Sequence, residues 1–341
     1  MSALRRIWKP RYLVLVLVLP LFGWALRSVP AGEIASTLRR LSMGQLAVIA
    51  VLNIIIVLLF SSRWWLFLRA QGYSLPYFSL VSYRLAAFGI SYFTPGPQMG
   101  GEPLQVYLLR DRHALPTSTA IAAVSLDKLV ELMTNFTFVA VGLLLVLRLG
   151  PSAHLPLYPM IFMFISLLAL PAGYLMALWT GKRPFSRLSH ILATRFKIMP
   201  ALQSALRTAV SSEADMAGLF KRKPVVLLLS LFFSLLIWTC MLIEYRLTLS
   251  FLGQPVSWLA TIYLLTAARI AFLLPSPGGL GTLEAGQVLA MQLLGLSPAL
   301  GISISLLIRT RDLALGSLGL WLGAYLTQKS PDKALPSQAG D

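Results

Sequence analysis

Long apolar runs separated by short polar clusters dominate the sequence, and most of these runs have about the length of a membrane-crossing helix. A hydrocarbon core about 30 Å thick needs about 20 apolar residues in a helix. The pattern predicts about six full spans, at 12–26, 45–67, 117–148, 157–179, 224–252 and 299–327. The predicted fold class is therefore an all-α polytopic membrane protein.

Four further apolar runs are too short to cross comfortably, and they form two pairs. The first pair covers 77–93 and 102–110, and the second covers 256–274 and 284–295. The pairs are interrupted by TPGPQMGGE and LPSPGGLGTLE, in which proline ends the incoming helix and glycine allows close backbone approach. Non-helical backbone at membrane depth survives only where protein buries it or where it lines a wet cavity. The pattern thus predicts two re-entrant broken-helix hairpins.

The two hairpins occupy matching positions in a predicted internal repeat. Three pairs of residues are 182 positions apart: Glu102 and Glu284, Pro116 and Pro298, and Asp127 and Arg309. We expect repeat-like halves at about 72–150 and 250–327, inside a single integral membrane domain that covers 1–341. The alternative is that proline and glycine recur by chance, because both residues punctuate loops in general.

Charge refines this picture of a membrane protein. The chain is 57% hydrophobic and 12% charged, about half the charged fraction of a soluble protein. Its 29 basic and 12 acidic residues give a net charge of +17. The basic residues lie beside or between apolar runs, which favours contact with anionic lipid headgroups over nucleic acid. The basic stretch 181–223 is predicted to be a cytoplasmic loop, and 328–341 a polar tail.

The positive-inside rule also orients the chain. It predicts a cytoplasmic N-terminus, multiple crossings and location in the inner (plasma) membrane. In this orientation the two hairpins enter the membrane from opposite faces. Such an inverted repeat is typical of transporters that expose one midplane site alternately to each side.

Charged residues inside the predicted spans are the main candidates for function. Asp127 and Glu131 share a helix face with Asn135, and Lys128 is placed to neutralise Glu131. A charge at the centre of a membrane helix costs at least about 2.5–3.5 kcal/mol. Two interpretations remain open for these charges. They form interhelical salt bridges that hold the bundle together, or they form a polar path for a lipid headgroup.

The candidate substrate-binding side chains come from the hairpins and the two charged helices. They are Arg84, Gln98, Glu102, Asp127, Lys128, Glu131, Arg269, Glu284, Arg309, Arg311 and Asp312. Arginine suits phosphate because its guanidinium is a planar fork of donors; the alternative for Arg84 and Arg269 is that they snorkel to the interface. Glu102 and Glu284 either cap a helix N-terminus or act as the partner of a substrate amine, of a proton or of a gate. Glu244 and Arg246 are expected to be mainly structural.

The sequence shows no catalytic constellation. It has no phosphate-binding loop, no nucleophile elbow and no histidine pair with metal-ligand spacing. Cys240 is the single cysteine, so we expect neither a disulfide framework nor a thiolate metal site. We therefore expect no cofactor, no metal ion and no enzymatic activity.

Several motifs resemble a known family. GISYFTPGPQMGGEPLQVYLLR, STAIAAVSLDKLVEL, LPSPGGLGTLE and IRTRDL are similar to segments of the flippase-like family, the transmembrane region of bacterial lysylphosphatidylglycerol synthases and its stand-alone relatives. The resemblance covers about 10–327. It implies movement of an aminoacylated phospholipid between leaflets in the bifunctional members, where a soluble domain makes that lipid. Because this chain stops at 341, we expect a stand-alone member without aminoacyl transfer.

The predicted function is a flippase-like lipid translocator. Its cargo would be a membrane phospholipid or a polyprenyl-linked or glycolipid substrate, since stand-alone relatives are linked to several such pathways. Two alternatives stay open: an accessory subunit that docks a lipid synthase through 181–223, and a membrane-embedded lipid-modifying enzyme. A lipid synthase and a second copy of the chain are the candidate protein partners.

Overall fold

The protein is all-helical throughout the part that the computed structural model describes, which comprises residues 39, 41–94, 100–147, 157–195, 200–274 and 276–328. This part contains eleven α-helices, one short 3₁₀ turn at Pro277–Gly279 and no strand. The predicted all-α class is therefore confirmed. The predicted first span at 12–26, the candidate Gln98 and nearly all of the polar tail lie outside the described residues.

The helices follow the predicted runs closely. In chain order they are α1 Met43–Ala70, α2 Tyr77–Phe93, α3 Glu102–His113, α4 Thr117–Val146, α5 Leu157–Trp179, α6 Pro184–Arg195, α7 Pro200–Arg222, α8 Val225–Phe251, α9 Trp258–Leu273, α10 Thr282–Leu293 and α11 Pro298–Gln328. Helices α1, α4, α5 and α8 are long and apolar enough to cross a membrane. Helix α11 has 31 residues, enough length to cross, and carries its charges near the middle.

Helices α2 and α3 form a re-entrant hairpin. The hydroxyl of Tyr83, in the first half of α2, lies 3.0 Å from Nε2 of His113 at the end of α3. Helix α3 therefore folds back along α2. At its tip the backbone N–H of Gly101 donates to Ser91 Oγ at 2.9 Å. A Cβ at Gly101 would overlap the carbonyl of Ala87, so the close approach of the two helices requires glycine there.

The order α1–α4 recurs as α8–α11, with lengths of 28, 17, 12 and 30 residues against 27, 16, 12 and 31. The equivalent helices α1 and α8 run antiparallel. Asn53 bonds to Glu244, whereas Arg63, further along α1, bonds to the earlier Ser234 of α8. The second four-helix unit is thus inverted with respect to the first. This unit begins with α1 and α8, which the halves expected from sequence did not include.

In each unit the first helix of the hairpin packs against the last helix of the other unit. Helix α2 packs along α11, and α9 packs along α4. A Cβ at Gly89 would lie 2.6 Å from the backbone nitrogen of Leu320, and one at Gly319 would overlap the carbonyl of Leu85. Between α9 and α4, the Tyr263 hydroxyl donates to the Leu145 carbonyl at 3.0 Å. Small residues therefore let α2 and α11 approach closely, as at many membrane-helix interfaces.

The basic stretch 181–223 forms two amphipathic helices, α6 and α7, where the sequence composition suggested a loop. Buried Glu213 of α7 holds them to the bundle. It accepts hydrogen bonds from the Tyr174 hydroxyl and from the backbone N–H groups of Phe185 and Ser186, at 2.7–2.8 Å. Burial alone would raise the pKa of Glu213, but these bonds and the one from the Ser186 hydroxyl outweigh it and lower the pKa.

Candidate functional site

A cavity of about 540 Å³ lies between the two four-helix units. Apolar side chains form most of its wall, yet ten charged residues also line it. They are Arg63, Arg84, Glu102, Asp127, Lys128, Glu131, Glu244, Arg269, Arg311 and Asp312. Charges in the interior of apolar helices are costly and face a cavity or one another. The interior of this bundle therefore contains a compact polar site.

Asp127 of α4 is the centre of the first charge network. Its carboxylate accepts from Nε of Arg63 at 2.7 Å and also pairs with Nη1 of Arg84. Arg63 is 1% exposed and Asp127 3% exposed, so this contact is almost dehydrated. Nη1 of Arg63 donates to Ser234 Oγ at 3.0 Å. Three different helices, α1, α2 and α4, are thereby tied together at one buried point, with α8 attached through Ser234.

Glu131 extends this network by one helical turn. Its carboxylate contacts Arg84 Nη2 at 2.7 Å and Arg63 Nη2 at 3.4 Å. Its other oxygen pairs with Lys128 Nζ at 2.9 Å, which confirms the contact expected from their i, i+3 spacing. Lys128 Nζ also lies 3.1 Å from Glu102 at the start of α3. The network thus runs from α1 to the tip of the first hairpin.

The second network joins α11 to α8. Nη1 of Arg311 contacts both carboxylate oxygens of Glu244, at 2.9 and 3.0 Å, and its Nε contacts Asp312 at 2.8 Å. Glu244 also accepts from the Asn53 amide at 3.0 Å. Asp312 therefore pairs with Arg311, its neighbour in the sequence. Besides one ion pair inside each helix, the charges of α4 pair with α1, α2 and α3, and those of α11 pair with α8 and α10.

The hairpin glutamates make the same two contacts in each unit. Glu102 accepts from the Gly100 backbone N–H at 2.8 Å and pairs with Lys128 of α4. Glu284 accepts from the Gly281 backbone N–H at 3.0 Å and pairs with Arg309 of α11 at 2.5 Å. We call these two arrangements the hairpin latches. Each fastens the start of a short helix to the long helix that follows it.

The hairpin latches show the helix cap that was one of the alternatives for Glu102 and Glu284, together with an ion pair to a protein side chain. One oxygen caps the helix N-terminus, where the backbone N–H groups and the helix dipole favour a carboxylate. The other oxygen forms an ion pair with a neighbouring helix. Neither contact requires a substrate, so a role in binding a headgroup cation stays a prediction.

Arg269 of α9 has different surroundings from the other cavity cations. Its Nη2 lies 2.7 Å from the Met241 sulfur, and its guanidinium carbon lies 5.0 Å from the centre of the Trp238 ring. Its Nε is buried and has no hydrogen-bond partner in the described structure. Trp238 itself stacks on Phe138, with ring centres 4.0 Å apart.

Most of the predicted candidates come together at this site. Arg84, Glu102, Asp127, Lys128, Glu131, Arg269, Arg311 and Asp312 line the cavity, while Glu284 and Arg309 form the second latch beside it. Sequence reasoning missed Arg63 and Asn53 and treated Glu244 as structural. Arg63 belongs to SSRWWLFLR, whose tryptophans and arginines are typical of a membrane–water interface. Its position inside the apolar run 45–67, before that run ends, was the available signal of depth.

No group of three or more metal-ligating side chains occurs in the described ranges. Arg246 behaves as a structural residue in its local geometry. Its guanidinium stacks 4.3 Å from the centre of the Trp258 ring, and its Nε donates to the Val256 carbonyl at 3.1 Å. It lies outside the cavity wall.

Comparison with known proteins identifies the family. A UPF0104 membrane protein of Methanothermobacter thermautotrophicus is 23% identical over 315 residues, which is 89% of this chain and 92% of that protein. No solved structure matches the chain. The family model described as the lysylphosphatidylglycerol synthase TM region matches residues 12–319, nearly the whole length. The chain therefore belongs to the family of the lysylphosphatidylglycerol synthase TM region.

Proposed function

We propose that this protein is a flippase-like translocator that moves a phospholipid or a lipid-linked headgroup between the leaflets of the bacterial inner membrane. The observation that carries the proposal is the cavity between the two inverted units. Its wall combines apolar side chains with ten charged residues inside the bundle. A lipid headgroup needs such a polar path, because its transfer through hydrocarbon alone leaves its charges without partners. The acyl tails would remain in the surrounding lipid.

Alternating access is the mechanism that the inverted architecture favours. The two hairpins belong to units of opposite direction, and each is fastened by one hairpin latch. Opening of the Glu102–Lys128 latch would free the first hairpin, and opening of the Glu284–Arg309 latch would free the second. We infer that the two latches open in turn, so that the cavity faces one leaflet at a time.

The distribution of basic residues supports a cytoplasmic N-terminus. The ends of α1, α3, α5 and α7 carry many Lys and Arg residues, including Arg69, Arg112, Lys182 and Lys221. Contacts place these helix ends on the same side of the bundle. Tyr174 of α5 bonds to Glu213 of α7, and Arg112 of α3 donates to the Leu326 carbonyl near the end of α11. Under the positive-inside rule that side faces the cytoplasm.

A translocation assay in proteoliposomes tests the proposal. Protein with Cys240→Ser is reconstituted with fluorescent phosphatidylglycerol or lysyl-phosphatidylglycerol, and dithionite quenches the outer leaflet. We expect quenching beyond the half that protein-free vesicles show. Glu102→Gln and Glu284→Gln should each reduce the rate at least tenfold, because each removes the charge of one latch. Arg246→Gln is the matched control and should keep the wild-type rate.

The outcomes separate the candidate functions. Equal quenching with and without protein, for both phospholipids and for a polyprenyl-phosphate analogue, would contradict the translocator proposal. Co-purification with a lipid synthase would then favour the accessory subunit. A change in the chemical identity of the lipid, detected by mass spectrometry of the same vesicles, would favour a lipid-modifying enzyme.

A further inference from the structure

The basic residues of the cavity differ in how their charge is balanced. Five of them line the wall in the described structure: Arg63, Arg84, Lys128, Arg269 and Arg311. Four of these form ion pairs with carboxylates, with nitrogen and oxygen no more than 3.1 Å apart. Arg269 forms none with any described residue, and its recorded partners are a sulfur atom and an aromatic ring.

The surroundings of Arg269 balance its charge poorly. A thioether is a weak acceptor, and a ring face offers a cation about 0.5–2 kcal/mol. The buried Nε has no partner at all in the described structure. Arg269 is half-buried, and the carboxylates of Glu131, Glu244 and Asp312 act on its charge without forming an ion pair with it in the described structure. The guanidinium also lines the cavity, so a ligand there can reach its donors. Because no carboxylate pairs directly with these donors in the described structure, an anion that enters the cavity can bind them.

The acidic residues of the cavity have the opposite status. Glu102, Asp127, Glu131, Glu244 and Asp312 each already pair with a basic side chain. A cationic headgroup would have to compete with one of these pairs for a carboxylate. A phosphate has no such competitor at Arg269. The site is thus complementary to an anion and offers no vacant carboxylate for an ammonium group.

We propose that Arg269 is the anion-binding residue of the cavity and that its ligand is a phosphate-bearing group without a cationic headgroup. The planar fork of guanidinium donors suits the oxygens of a phosphate. The identification of this ligand as a lipid rests on the proposed translocator function; the anion site itself does not. Free inorganic phosphate has the same chemistry, and the experiment separates the two sources.

Equilibrium binding to the full chain in detergent tests this assignment. Short-chain phosphatidylglycerol, lysyl-phosphatidylglycerol, diacylglycerol and inorganic phosphate are each titrated by isothermal calorimetry. We expect phosphatidylglycerol to bind at least tenfold more tightly than lysyl-phosphatidylglycerol, diacylglycerol or phosphate. Arg269→Gln should weaken phosphatidylglycerol binding at least tenfold, and Arg269→Lys should lose less. Arg246→Gln is the matched control: it removes another arginine that stacks on tryptophan but lies outside the cavity, and should change binding less than twofold.

Each other result overturns a stated part of the proposal. Wild-type affinity for phosphatidylglycerol in folded Arg269→Gln would refute the assignment of Arg269. Equal or tighter binding of lysyl-phosphatidylglycerol by the wild type would refute the exclusion of cationic headgroups, even if the variants fail to fold. Phosphate that binds as tightly as phosphatidylglycerol would keep the anion site but refute its lipid source. Because binding is measured without transport, inactive proteoliposomes would contradict the translocator function alone.

Discussion

Asp127→Asn is the substitution that should reveal most about the first charge network. The aspartate holds two guanidiniums, those of Arg63 and Arg84, and Arg63 is only 1% exposed. Asparagine has nearly the same shape and keeps one oxygen acceptor, so the main loss is the negative charge. Three basic groups would then share Glu131 and Glu102. Removal of one member of a buried ion pair costs about 3–5 kcal/mol, because its partner is left buried without compensation.

We therefore expect Asp127→Asn to lower the free energy of unfolding by about 3 kcal/mol, the lower end of that range, because the remaining oxygen still accepts a hydrogen bond. The assay is equilibrium unfolding in mixed micelles of dodecyl maltoside and SDS, followed by tryptophan fluorescence. Lys182→Gln, at an exposed position after α5, is the control and should stay within about 0.5 kcal/mol of wild type.

A double-mutant cycle separates the ion pair from general damage to packing. Arg63→Met removes the cation that Asp127 compensates, so the two substitutions together should cost less than the sum of their separate effects. We expect a coupling of about 0.5–3 kcal/mol. Additive effects, or a loss below about 1 kcal/mol for Asp127→Asn alone, would show that the network does not hold the helices together.

Three other predictions concern different parts of the fold. Gly319→Leu should prevent a stable α2–α11 interface, because a Cβ at this position overlaps the carbonyl of Leu85. The variant should elute early or aggregate in size-exclusion chromatography. The control Leu318→Ala, at an exposed position, should elute like wild type. The folded pKa of Glu213 lies below its ordinary value of 4.5, so Glu213 stabilises the fold above that pH and loses this contribution as the pH falls. The stability difference between wild type and Glu213→Gln should accordingly shrink between pH 6 and pH 3, and a difference that grows would contradict the assignment. A cysteine at Thr134, which lines the cavity, reports access to it by maleimide labelling once Cys240 is replaced by serine. Glu102→Gln and Glu284→Gln should then each raise labelling, but from opposite faces of the membrane. Increased labelling from the same face for both variants would refute alternating access.

Local sequence patterns predicted the helices and hairpins well because the physical causes are local. The run predicted at 77–93 is α2 with the same bounds, and 157–179 is α5. Proline and glycine interrupt the chain wherever they occur, and a single lipid environment makes apolar length a reliable signal. The contact between Lys128 and Glu131 was predictable for the same reason, since one turn of helix places the two side chains together.

Contacts between distant helices were not predictable from these patterns. Arg63 and Asp127 are separated by 64 positions, and Asn53 and Glu244 by 191. Nothing in the spacing of either pair indicates its partner. The 182-residue repeat relates Asp127 to Arg309, but the structure gives them different partners. The two helices of 181–223 were not predicted for another reason. The basic composition of this stretch suggested a loop, although α7 buries apolar side chains at helical spacing along one face.

The two units share a backbone arrangement and a hairpin latch, but they do not share the charges that line the cavity. On the N-terminal side of the hairpin breaks the two units are offset by 180 residues, as Pro95 and Pro275 show. There the position of Arg84 is occupied by Leu264 in the second unit, and that of Arg269 by Gly89 in the first. In the proposed alternating-access mechanism, repetition of the backbone would supply two equivalent ways to open the cavity. Divergence of the side chains makes the open states chemically unequal, because a phosphate at Arg269 contacts a hairpin of the second unit only. A bound anion should therefore favour one of the two open states. A ligand shifts an equilibrium only through such a difference in affinity, so an anion held by Arg269 would give the two repeated units unequal open states.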